Sequence, residues 1–197
     1  MAYFGNLIYF LFPLYNSLNS SLYVQMNMLP HSKLATELVQ QRIAVEKIDF
    51  DTFQIQYNQQ STSMAKMVLV LLVIYFSIPL TLVNYNRKMF YSDHLLVSLE
   101  ACSIIILVNF VVLMWVFHFV IYLVGQLGNN IRYLLNDKYT MWISMSVLFY
   151  LFFQLERWAY AQPIGRALAK AGLLVFAFFV VLQLYRASLF FVTLWTV

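Results

Sequence analysis

The sequence predicts an all-α, polytopic transmembrane helical bundle of about five spans. Three observations predict it. Of 197 residues, 62% are hydrophobic and only 10% charged, against about 25% charged in an ordinary soluble domain. The mean hydropathy is +0.74, and no soluble fold of this size could solvate such a surface. The apolar residues also gather in long runs, the longest reaching from Tyr91 through Val124, well beyond the roughly 20 residues that a helix needs to cross hydrocarbon.

Each span follows from local signals. The first is placed at residues 2–22, an apolar stretch that runs into the polar Asn16-Ser-Leu-Asn-Ser-Ser. No basic residue precedes it, which favours a span over a cleaved signal peptide. Residues 25–63 are the one extended polar region. There Leu34, Leu38, Val45 and Ile48 fall near one face of a helix, and Phe53, Ile55 and Tyr57 alternate with polar residues as a short strand does. This region is expected to be an ordered connector with one apolar face, or an amphipathic cap lying on the membrane surface or on a partner.

The second span is placed at residues 64–83, capped by Thr62 or Ser63 and kinked at Pro79. The third, residues 94–124, is about 48 Å long if continuous, so it must tilt, protrude or bend. Gly125 and Gly128 supply its stop. A short aromatic fourth span covers residues 139–154. The fifth covers residues 168–195, begins after Pro163 and Gly165, and carries Gln183 and Arg186.

Charge then orients the bundle. The net charge is +4 and the isoelectric point about 9.1, but the twelve Lys and Arg are scattered and form no stripe for nucleic acid. Five spans put the ends on opposite faces. Arg87, Lys88, Arg157, Arg166 and Lys170 share a side with the N-terminus, whereas the opposite loop holds Arg132 and Lys138. The positive-inside rule places the N-terminus in the cytoplasm and residues 25–63 outside. The single cysteine, Cys102, excludes an internal disulfide or a multi-cysteine metal site.

Polar residues within the apolar runs are the candidate functional groups, because a charge near mid-bilayer costs about 2.5–3.5 kcal/mol. They are His94, Glu100, Asn109, His118 and Arg186. Glu100 is either a proton-accepting carboxylate or an interfacial side chain paired with Lys88 or Arg157. On an unbroken helix His118 stands five whole turns beyond Glu100, on the same face and about 27 Å away. Arg87, Lys88, Glu156 and Arg157 read as interfacial anchors, the last two as an interfacial ion pair rather than a catalytic acid. Tyr85, Tyr91, Trp142, Trp158, Tyr160 and Trp195 suit an aromatic belt, and Ala161, Gly165 and Ala169 a close helix contact. No nucleophile with a base, phosphate loop or metal-ligand set is recognisable, so no catalytic residue, metal or cofactor is expected.

Two patches resemble a known family. Tyr91-Ser-Asp-His-Leu-Leu-Val-Ser-Leu-Glu-Ala-Cys-Ser is similar to a segment in which an aromatic-acid-His triplet leads into a helix. Tyr150-Leu-Phe-Phe-Gln-Leu-Glu-Arg-Trp-Ala-Tyr-Ala-Gln, followed by Leu168-Ala-Lys-Ala, is similar to its later aromatic, basic, Tyr-x-Gln and Leu-x-Lys pattern. The family is a group of functionally uncharacterised bacterial inner-membrane proteins, usually with an N-terminal zinc ribbon. This chain has no Cys-x-x-Cys pair, and Glu100 stands where the family pattern has its second histidine. The resemblance implies a multi-pass inner-membrane location and no reaction.

The expected function is that of a non-catalytic membrane subunit or scaffold in a larger inner-membrane complex, with lipid and other integral subunits as partners. The alternative is a small transporter or proton-conducting protein using Glu100, His118 and Arg186.

Overall fold

The computed structural model describes residues 20–85, 89–126 and 137–197. Every regular element among them is helical: α1 (Leu22–Asn27), α2 (Ser32–Glu46), α3 (Phe50–Val83), α4 (Tyr91–Ile105), a π-helical segment (Ile106–Val112), α5 (Leu113–Gln126), α6 (Asp137–Trp158) and α7 (Ile164–Thr196). Three helical stretches are long and apolar enough to cross a membrane: Phe50–Val83, Tyr91–Val108 and Ile164–Thr196. The all-helical class holds, and apolar helices of this length are made for lipid contact. The described residues do not confirm the count of about five. The first expected span falls almost wholly outside the described residues, and α6 covers residues 139–154 as a helix without qualifying as a span. Its ends carry Asp137, Lys138, Glu156 and Arg157, which shorten the apolar stretch between them.

The polar region departs most from expectation. Residues 53–57 are not a strand but the first turns of α3. Phe53 and Tyr57 are fully buried while Ile55 is 59% exposed. Residues four apart share a helix face whereas the one midway between them lies opposite, so three points at spacing two misled. Nor does a cap stand at Thr62 or Ser63, because α3 runs through them, and the Thr62 hydroxyl donates to the Asn58 carbonyl at 3.1 Å. Pro79 lies inside α3, where its missing N–H leaves the Tyr75 carbonyl without its usual helical donor.

The third expected span is helical throughout, but not α-helical throughout. The Leu113 N–H bonds the Val108 carbonyl, the i→i+5 pattern of a π-helix. Asn109 lies in this segment and His118 beyond it. The expected shared face of positions 100 and 118 assumed 3.6 residues in every turn, and the wider π turns break that phase.

The chain divides into two compact units, whose described parts are residues 76–85, 89–126 and 137–178, and residues 20–75 with 179–197. In the second unit, Leu22, Ala35, Val39, Phe53, Tyr57, Phe190 and Leu194 form a buried cluster. Tyr57 and His31 both set their rings against Phe190, at 6.1 and 5.9 Å between centroids. Gln25, fully buried, accepts from His31 Nε2 at 2.8 Å and donates to the Arg186 carbonyl at 3.4 Å. The first α1 amide, Leu22 N–H, is satisfied by Asn58 Oδ1 at 3.0 Å. Thus α1 and α2 pack as an apolar-cored cap on α3 and the C-terminal part of α7.

In the first unit the core is aromatic. Phe76 of α3, Phe152 of α6 and Phe178 of α7 meet with centroids 5.3–5.8 Å apart, inside the range of favourable aromatic pairs. Buried Ala167, Ala171, Leu174 and Phe178 make the inward stripe of α7. The expected small-residue contact is therefore displaced. Ala161 precedes α7 with φ +50°, and a Cβ on Gly165 meets no atom within 4 Å.

Candidate functional site

The ends of three helices in the first unit converge on one buried carboxylate. Glu156 sits in the last turn of α6 and is fully buried. Asn84, the residue after α3, donates from Nδ2 to Glu156 Oε1 at 2.5 Å. Lys170, in the second turn of α7, donates from Nζ to Asn84 Oδ1 at 2.6 Å. Its ammonium stays 3.9 Å from Glu156 Oε2, which has no hydrogen-bond partner. The asparagine amide thus bridges cation and anion. Its oxygen faces the ammonium and its N–H faces the carboxylate, so the dipole is aligned with the charges and each bond polarises the other.

The turn between α6 and α7 builds the rest. Ala161 adopts the left-handed conformation, which costs a non-glycine residue about 1–2 kcal/mol. It lets the Gln162 N–H reach back to the Glu156 carbonyl at 3.1 Å, and Pro163 then supplies a carbonyl to the Ala167 N–H at 2.9 Å. This turn carries Tyr160, whose hydroxyl hydrogen-bonds His94 Nδ1 at 2.8 Å. The two rings stack at 5.6 Å and 19°. His94 is held in the first turn of α4, where Asp93 accepts the Phe90 N–H at 2.9 Å and Tyr91 shares a 2.7 Å bond with Ser77.

Burial pushes the Glu156 carboxyl above its ordinary value, against the opposing hydrogen bond from Asn84 and charge of Lys170. Burial, and after it the charge on Glu156, raise the Tyr160 phenol, so it serves as a neutral hydrogen-bonding group. Chemically the cluster holds a proton-accepting carboxylate beside a tethered cation. No group of three metal-ligating residues occurs among the described residues.

No protein-family model, curated protein or solved structure matches the chain.

The sequence-selected residues scatter. His94 joins the cluster, buried and bonded to Tyr160. Glu100 lies on an exposed face of α4 and makes no ion pair with Arg157. Lys88, its other expected partner, and Arg87 lie outside the described residues, as do the side chains of Asn109 and His118. Arg186 is in the other unit, half-buried. Glu156 and Arg157 do not form the expected interfacial ion pair: Arg157 is exposed, while the carboxylate turns inward to Asn84 and Lys170. A helical step of about 100° sends neighbours to different faces.

Asn84, Lys170 and Tyr160 were missed as site residues. Lys170 had a legible signal, because it sits three residues after Ala167 and four before Leu174, on the apolar stripe of α7. Asn84 had none, since an asparagine at a helix end is common. Tyr160 was assigned to the aromatic belt. Trp158 and Trp195, both 86% exposed, suit that belt, whereas Tyr160 is spent on His94.

Proposed function

We propose that the chain is a non-catalytic integral subunit or scaffold of a larger inner-membrane complex, acting through its helix faces. The observation that carries this reading is Glu100. It is exposed on α4 among the exposed Leu96, Leu99 and Ile104, about 14 Å from the start of the helix. Lipid gives a carboxylate there nothing to pair with. A neighbouring subunit that supplies a cation or donor does.

The buried polar groups support the same reading. In the first unit Ser77, Asn84 and His94 are each engaged with a side chain outside their own helix, as a packed membrane subunit requires. The basic residues around residues 84–93 and 156–170 favour a cytoplasmic N-terminus. The family resemblance favours a bacterial inner membrane.

The test is purification of the tagged protein from native membranes in mild detergent, followed by mass spectrometry. Other membrane proteins are expected in fixed ratio, and Glu100→Ala is expected to release them while helix content stays unchanged. If both forms purify alone, the subunit reading fails, and flux measurements in liposomes with Glu100→Gln then examine transport.

A further inference from the structure

Glu156 is the one fully buried carboxylate among the described residues, and the subunit reading makes no use of it. Its two oxygens differ. Oε1 is held by Asn84 at 2.5 Å, whereas Oε2 has no hydrogen-bond partner. Lys170, the cation paired with it among the described residues, directs its short bond to Asn84 Oδ1 and leaves 3.9 Å to Oε2. An ionised carboxylate with a bare buried oxygen is costly, and the cost is removed by neutralising that oxygen. Lys170 is also the link to water, because its side chain remains 22% exposed while Glu156 is sealed.

Among the described residues, the other groups around the carboxylate leave this arrangement intact. From α7 comes Lys170, from the end of α3 Asn84, and from the α6–α7 turn Tyr160, which ties in His94 of α4. Asp93 on α4 is occupied with the Phe90 N–H. Arg157 and Arg166 are exposed and form no ion pair with Glu156.

We propose that Glu156 is a proton-exchange site, loaded at Oε2 from water along the Lys170 side chain, with Asn84 holding Oε1 in both states. In the loading step a hydronium ion gives its proton to the carboxylate and leaves water and a neutral carboxylic acid. The Coulomb attraction on Lys170 then vanishes. The ammonium is free to turn outward, Asn84 Oδ1 loses its donor, and the tie from the end of α3 to α7 loosens. Release of the proton restores the ion pair and the tie. The site is thus a protonation-dependent latch between α3, α6 and α7.

Infrared difference spectroscopy of the full chain in lipid vesicles, stepped through pH, reads this directly. A carboxylic acid has a carbonyl band that a carboxylate lacks. A band from a glutamic acid is expected to persist to a pH above the ordinary glutamate range, because burial favours the neutral acid. Glutamate labelled with carbon-13 should shift it. Glu156→Gln should abolish it and Glu100→Gln should not. Lys170→Met should carry it to higher pH still, because the cation that favours the charged form is gone.

The proposal is overturned by a band that titrates at or below the ordinary value, by one that survives Glu156→Gln, or by one indifferent to Lys170→Met. Should Glu156→Gln fail to fold, the labelled Lys170→Met protein decides, since a glutamic-acid band that stays at the wild-type pH in it does not belong to Glu156. A stable complex with other subunits neither supports nor harms this inference, so it fails independently of the subunit reading.

Discussion

Asn84 stands between a cation and an anion that do not themselves hydrogen-bond, and its amide makes both short bonds of the cluster. Asn84→Ala removes both at once and strips Glu156 Oε1 of its donor. With bonds to charged groups worth about 1.5–3 kcal/mol each, discounted for the partly exposed lysine, the loss should be about 2–4 kcal/mol. Thermal or denaturant unfolding in detergent measures it, and a loss below half a kcal/mol would show that water replaces the amide.

Glu156 makes stability depend on pH with a definite sign. Its folded-state pKa is raised from 4.5, chiefly by burial, so the folded protein holds the proton more tightly than the unfolded chain. The group's favourable contribution is full below about 4.5 and is lost as pH rises through the raised folded value. Lowering pH from neutral should therefore stabilise the fold over that window, before other groups titrate. Glu156→Gln should flatten this part of the profile; an unchanged slope would assign it elsewhere. The sequence placed a carboxylate here but paired it with Arg157, because chain adjacency is visible and burial is not.

At the scale of elements, α7 separates two uses of small residues. Ala167 and Ala171 are fully buried beneath neighbouring helices, so Ala171→Leu should overpack the site and cost about 1–3 kcal/mol. Gly165 has open space where a Cβ would stand, so Gly165→Ala should be neutral or stabilising by up to about 1 kcal/mol, through helix propensity alone. Equal effects at both positions, read as shifts in unfolding midpoint, would remove the distinction. The same contrast explains why Ala161, Gly165 and Ala169 misled as a spacing: residue size is written in the sequence, while the face a helix buries is chosen by its neighbours. The π segment behaves likewise. Nothing in Ile106-Leu-Val-Asn-Phe-Val-Val marks a wider turn, since apart from Asn109 its residues are as apolar as those of the α-helical turns beside it.

For the whole molecule, the three long apolar helices predict retention in the membrane pellet after an alkaline wash that strips peripheral proteins. Orientation has its own measurement. In a Cys102→Ser background, Glu37→Cys places a thiol on exposed α2. A membrane-impermeant maleimide should label it in intact cells if residues 25–63 lie outside. Labelling only after lysis would reverse the topology and put the Asn84, Glu156 and Lys170 cluster at the opposite face.

Helical class and apolar character were legible in the sequence alone, whereas the start of α3 at Phe50, rather than at residue 64, was not. Hydrocarbon imposes the first two through composition and run length, which need no knowledge of neighbours. Tertiary structure alone decided that Glu156 turns inward, that Asn84 bridges it to Lys170, and that Tyr160 pairs with His94. Those contacts join residues 66–86 positions apart. Each depends on how helices rotate and on one left-handed residue in a turn, and neither leaves a periodic mark on the chain.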